Sequence, residues 1–417
     1  MTGINPDRKA DTSSSGKPAG TSRSGEPKGK TSSGKPEGTL SSDKPQSTLS
    51  LGKLEGTSST VKPLSATSPG KPAGTIRPGK QKIISRTVFW FVVLGAGLIL
   101  IFLLNIGAGS ADISVTDIMN VFLGKVPADD THALIIQKIR LPRALASAAG
   151  GAALSIAGFL LQTFFSNPIV EPYVLGISSG SSLFVGLVVL GGFSFGFKRV
   201  TPFVIFGGAF IGAMAVMSIV IFAARKVKSI ITLLIIGMMA GYLCSAVTSI
   251  LSAFAEKEQL ANYAMWTMGS FSGFTWKQIG ILFAIVLPMI VAAFLMAKPL
   301  NALNMGDKYA QSMGVNVKLV RYALIFISSI LTAAVTAFAG PVSFIGLAVP
   351  HICRILFGTS NSRILIPATA VGGAFMAGTC DFTARNIVSP VELPLGAITA
   401  IIGAPIVVYL LTRRNVE

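Results

Sequence analysis

Charged residues make up only 12% of this 417-residue chain, about half the share usual in a soluble domain. That scarcity argues against a water-soluble globule. The chain has two histidines, His132 and His351, far apart in sequence, and no HExxH, GxSxG or acidic cluster, so it lacks the usual materials of hydrolytic or metal chemistry. No enzyme activity, cofactor or resident metal is implied. The three cysteines, Cys244, Cys353 and Cys380, lie in apolar stretches without CxxC spacing, which points to structural thiols. The nearest approach to a phosphate-binding loop is Gly29-Lys30-Thr31, but Ser24 stands where the first glycine belongs and no helix can follow. If ATP powers this protein, the nucleotide site is on another chain.

Ionisable residues inside apolar runs are also scarce. Each is expensive in hydrocarbon and tends to mark an ion path. Asp381 is the one carboxylate near such a run, and its position four residues before Arg385 reads as a paired, interfacial helix end. Ion-coupled secondary transport therefore loses ground, although it stays as the alternative reading.

What the chain does have is divided between two unlike parts. Residues 1–86 hold 15 Lys/Arg, 6 Asp/Glu and no aromatic residue, and they repeat with a nine-residue period, as in Ser15-Gly16-Lys17-Pro18 and Ser33-Gly34-Lys35-Pro36. A β-helix needs an apolar position to stack in each copy, which this repeat lacks. Its composition cannot bury enough surface to offset chain entropy, so it reads as a disordered tether. No apolar core of secretory-signal length occurs before Thr87.

Residues 87–417 are a membrane body. Apolar runs lie near 87–106, 143–163, 174–192, 202–223, 230–254, 276–296, 320–339, 343–357, 363–382 and 394–412. A span needs about 20 residues, so the eighth run is too short to cross upright. The expected fold is an all-α polytopic membrane protein, with ten helices in a compact bundle behind a disordered N-terminal tail. Small residues inside the runs, such as Gly150-Gly151-Ala152 and Gly372-Gly373-Ala374, favour close helix packing. With ten spans both termini share a side. Arg225, Lys226, Lys228, Lys298, Lys308, Lys318, Arg321, Arg354, Arg363, Arg413 and Arg414 fall on that side with the basic tail, and the positive-inside rule makes it cytoplasmic. Most of the net charge of +18 thus follows membrane topology and lipid headgroups, and nucleic acid is not an expected partner.

Two polar connectors stand out. Residues 298–318 can form a short helix outside the bilayer, with Met305, Ala310 and Met313 on one face and Asp307, Lys308 and Gln311 toward water. That pattern suits docking a partner or a plain amphipathic connector equally. On the opposite face, Arg140 and Arg143 frame Leu141-Pro142, and Arg385 follows the ninth run. Arginine forks hold carboxylates bidentately, which fits an acidic partner; snorkelling at helix ends is the other reading.

Several stretches, in order, resemble one family. They are Ile139-Arg140-Leu141-Pro142-Arg143, Gln162, Asn167-Pro168 with Glu171-Pro172, Leu175-Gly176, Met268-Gly269-Ser270, Gly306-Asp307 followed by Ala310 and Gly314, Gly340-Pro341, the run Phe344–Arg354, Asp381 with Arg385, and Glu392-Leu393-Pro394-Leu395-Gly396. Over about 87–417 the chain is similar to the FecCD or BtuC-like permeases of bacterial ABC importers for iron chelates, haem and cobalamin. The resemblance implies a type II importer in the cell membrane: two permease subunits, here a homodimer, two separate ATP-binding subunits, and an extracytoplasmic binding protein that delivers substrate. It implies that Arg140, Arg143 and Arg385 meet acidic residues of the binding protein. It also implies that Gly306, Asp307, Ala310 and Gly314 belong to the segment seated on the ATPase, that 230–254 lines the path, and that His351 is structural. Ile169-Val170, Met313 and Ser179-Gly180-Ser181 depart from the family pattern in volume only, and the repeat tail has no counterpart in it.

Overall fold

A computed structural model describes residues 78–414, apart from 110–112, 124, 126, 128–129, 192–200 and 228. Residues 1–77 of the expected tail lie outside the described residues, as does Lys228, whereas residues 78–86, expected to be disordered, are helical.

Helices are the one kind of regular element among the described residues. Each of the ten apolar runs forms a helix: α1 (Pro78–Gly107), α4 (Leu141–Phe165), α5 (Ile177–Val189), α6 (Pro202–Lys226), α7 (Ile230–Phe254), α9 (Trp276–Leu295), α12 (Val317–Ala339), α13 (Ile345–Phe357), α14 (Ser362–Asn386) and α15 (Leu395–Arg414). Short helices fill the connectors: α2 (Val115–Phe122), α3 (Thr131–Ile135), α8 (Lys257–Thr267), α10 (Ala297–Leu303) and α11 (Asp307–Ser312). Helix α1 begins at Pro78, well before the expected start at 87, because proline at the first helical position costs no hydrogen bond.

Among the described residues, seven helices are long and apolar enough to cross a membrane, with α3 and α4 joined into one of them. The third, eighth and tenth runs are not among them, the tenth over Leu395–Tyr409. Helices α5 and α13 have 13 residues each, about 20 Å at 1.5 Å per residue. The eighth was expected to be short; the third, expected over 174–192, is a shortfall that the apolar count did not reveal.

Both short helices are preceded by irregular backbone, and the two irregular stretches meet. The Val342 N–H donates to the Tyr173 hydroxyl at 2.8 Å, and the Phe344 N–H donates to Glu171 Oε2 at 3.2 Å. Gly176, in the left-handed region at φ +75°, packs against Gly237 and Gly241, midway along α7. Backbone that leaves a helix at this depth has no water to bond, so each stretch must be answered by the other. Pro168, Pro172 and Pro341 explain why the helices cannot simply continue. Glu171 is thus a second carboxylate inside the bundle. Counting within apolar runs missed it because it lies between two of them.

Helix α4 is the axis of the bundle and is buried along nearly its whole length. It packs on α14, α12, α13 and α9. Contact is close because small residues face backbone: a Cβ on Gly151 would collide with the Gly373 carbonyl of α14, and one on Gly158 with the Gly346 carbonyl of α13. Ser155 donates to the Thr369 carbonyl at 2.6 Å and Ser328 to the Ala157 carbonyl at 3.0 Å, tying the same helices by polar contacts suited to lipid. Helices α1 and α7, by contrast, expose large apolar side chains such as Val92, Ile99, Leu243 and Ile250.

Gly158→Val is expected to cost about 1–3 kcal/mol by overpacking, measured as a lower thermal unfolding midpoint in detergent. An unchanged midpoint would contradict the close α4–α13 approach.

Candidate functional site

The structure gathers the predicted site residues into two polar clusters, one at each end of α4. The first collects Arg140, Arg143 and Arg385. A single π-helical turn over Ile136–Arg140 joins α3 to α4, where Pro142 cannot donate to the preceding turn. It brings both early arginines onto the bundle. Arg140 Nη1 donates to the carbonyls of Ile106 and Gly107 at 2.9 and 2.6 Å, satisfying the end of α1. Arg143 lies on Asp381: Nε is 3.0 Å from Oδ2, Nη2 is 2.9 Å from Oδ1, and Nη1 is 2.6 Å from Glu392 Oε1. Arg385 donates to Asn105 Oδ1 at 2.7 Å and to the Asn105 carbonyl at 3.1 Å.

This arrangement corrects two expectations. Asp381, five residues before the end of α14, is 1% exposed and so enclosed by the chain rather than at its surface. Its principal partner is not Arg385, whose Nε stands 3.7 Å away without a hydrogen bond among the described residues, but Arg143 from another helix. The i,i+4 spacing was legible in the sequence, whereas a partner 238 residues away was not. The arginines are also far from freely projecting: Arg140 and Arg143 are buried, and each is engaged within the chain.

The second cluster is at the α10–α11 end. The expected single helix over 298–318 is two helices broken at Asn304–Gly306. Gly306 and Gly314 bracket α11 at φ +107° and +80°, conformations that cost a side-chain-bearing residue dearly. The split changes the faces. Ala310 is fully buried, while Met305 and Met313 are exposed rather than aligned with it, because both lie in the flanking turns. Asp307 pairs with Arg321 at 2.8 Å, which fixes α11 against the start of α12.

Beside α11 is a cavity of about 800 Å³, lined among others by Gln162, Asn167, Asn304, Gly306, His351 and Arg354. Sequence reasoning placed His351 and Gln162 in family motifs but did not assemble them into a cavity; their separation in the chain hid it. Cys353 and Cys380 are buried thiols, as apolar surroundings suggested. Among the described residues no three His, Cys, Asp or Glu stand close enough to hold a metal ion.

Comparison with known proteins agrees with this architecture. The FecCD transport family profile matches residues 97–413. The chain is 34% identical over 319 residues to the hemin transport system permease protein HmuU of Yersinia pestis, covering 76% of this chain and 95% of that one. It is also 34% identical over 339 residues to the vitamin B12 import system permease protein BtuC of Vibrio parahaemolyticus, covering 81% and 98%. A solved structure described as an inward-facing metal-chelate type ABC transporter superimposes with a TM-score of 0.69 at 29% identity, covering 78% of this chain and 99% of that one.

Asp381→Asn, which leaves Arg143 buried against one carboxylate fewer, is expected to destabilise the protein by about 3–5 kcal/mol. Glu392→Gln should cost far less, since that side chain is 45% exposed and solvent screens it. Thermal unfolding of both variants in detergent checks the order; equal losses would contradict it.

Proposed function

Because the chain belongs to the FecCD transport family, we propose that it is the permease subunit of a type II ABC importer that takes up an iron chelate, haem or cobalamin. The observation that carries this reading is the pairing of similarity to nearly the whole length of permeases of haem and vitamin B12 transport, over 76% and 81% of this chain, with a docking-shaped segment, α10–α11, at one end of the bundle. A separate ATP-hydrolysing subunit seats on Gly306, Asp307, Ala310 and Gly314. Buried Ala310 anchors α11 to the body, and exposed Met305, Tyr309 and Met313 offer the apolar contact that a partner groove takes up. Motion of the partner is then transmitted through the Asp307–Arg321 pair into α12.

The same reading puts the termini and α10–α11 on the cytoplasmic side, following the basic loops. It puts the arginine cluster on the external side, where an extracytoplasmic binding protein presents acidic groups. Arg143 is tied to Asp381 and Arg385 to Asn105 within the chain, so carboxylates of the binding protein would compete with these internal contacts for the two guanidinium groups. A second copy of the permease packs against the first, and α7, which exposes Tyr242, Leu243 and Ser245, lines the path between them.

Co-purification with the ATP-hydrolysing subunit encoded beside this chain tests the reading. Asp307→Lys combined with Gly306→Val is expected to weaken association by at least about tenfold, the scale of one lost charge-assisted contact. Absence of any stable complex with the unaltered chain would overturn it.

A further inference from the structure

The cavity beside α11 contains a cation whose counter-charge is missing from its own surroundings. Arg354, on α13, makes one side-chain hydrogen bond among the described residues, from Nη1 to Gln162 Oε1 at 2.7 Å. Its guanidinium carbon lies 5.4 Å from the centre of the Phe159 ring. Both partners are neutral, and no ion pair to Arg354 occurs among the described residues.

The geometry is held from behind. Gln162 Nε2 donates to the carbonyls of Gly346 and Leu347 at 3.2 and 3.1 Å, which leaves its oxygen as the acceptor for Arg354. The amide therefore cannot turn without losing bonds to the start of α13, and the aromatic face supports the planar cation from one side. A guanidinium has five N–H donors in a fixed fork, and one of them is used here. Such a group, fixed and partly removed from water, is matched by a carboxylate held bidentately.

That carboxylate is not supplied by this end of the described chain. Asp307 is taken by Arg321, and the other charged residues nearby in sequence, Lys298, Lys308, Lys318 and Arg363, are basic. The cavity wall includes Leu303, Asn304 and Gly306, so a protein seated on α10–α11 also covers the cavity. Its volume of about 800 Å³ suits an inserted side chain with the segment bearing it better than a lone small ion.

We propose that this cavity is a second docking point for the ATP-hydrolysing subunit, and that an aspartate or glutamate of that subunit enters it to pair with Arg354. The proposal rests on the permease reading above. It adds a polar socket to the exposed α11 contact, and it makes α13 as well as α12 a recipient of the partner's movement. Through Gln162 the socket is joined to α4, the axis of the bundle.

The test uses the complete complex. A photo-crosslinking residue placed at Ser360, in the cavity wall, should capture a segment of the ATP-hydrolysing subunit that contains an acidic residue. Arg354→Gln should weaken association about tenfold, on the scale of a hydrogen bond to a charged group, with Arg354→Lys falling between it and the unaltered chain. Arg354→Glu combined with reversal of the captured acidic residue to arginine should recover most of the loss. Capture of phospholipid, of residues 1–77 of this chain, of a segment without an acidic residue, or of nothing would overturn the proposal. So would failure of the reversed pair to recover association while Arg354→Glu alone weakens it, or an unchanged affinity in Arg354→Gln. If the Gly306 and Asp307 variant still weakens association in those cases, the permease reading stands and only the socket falls.

Discussion

The constraint on which this structure depends is that the two carboxylates and the irregular backbone enclosed among the described helices are answered by other groups of the same chain. Unpaired, each would cost several kcal/mol in hydrocarbon. Arg143 answers Asp381, the Phe344 amide answers Glu171, the Val342 amide and Tyr173 answer each other, and Gln162 binds the first carbonyls of α13. These pairs fix where helices break and which helices touch. The two short helices, α5 and α13, exist because their irregular leaders can satisfy one another. The close glycine contacts of α4 bring the partners within reach.

The same constraint bears on energy supply. Both carboxylates inside the bundle are engaged, Asp381 with a guanidinium and Glu171 with a backbone amide. Asp381, held by a guanidinium, is poorly placed to bind and release a coupling proton or sodium ion. A separate nucleotide-driven subunit fits both this chemistry and the split segment at α10–α11.

Much of the architecture was legible in the chain because hydrophobic run length reports helices directly. All ten runs became helices, and the breaks at Asn167-Pro168 and Gly340-Pro341 fell where proline forbids continuation. The polar partnerships were less legible. Asp381 and Arg385 share a helix face at a spacing that is easy to read, yet the stronger attraction comes from Arg143 across the bundle, a tertiary contact with no local signature. Glu171 escaped because it sits between runs, in irregular chain that meets the start of α13. The segment 298–318 was recognised as a polar connector, but two glycines at positive φ divide it, so a single helical face was the wrong frame for Met305, Ala310 and Met313. Gln162 and Arg354, nearly two hundred residues apart, became one cavity only through the packing of α13 on α4.

The most direct measurement of the central claim is uptake into sealed vesicles containing this chain and its ATP-hydrolysing subunit, with a loaded binding protein outside and the energy source varied. The account predicts accumulation when ATP is enclosed and none when a proton or sodium gradient is the sole source of energy. Gradient-driven accumulation by the chain alone, without ATP or the second subunit, would contradict it.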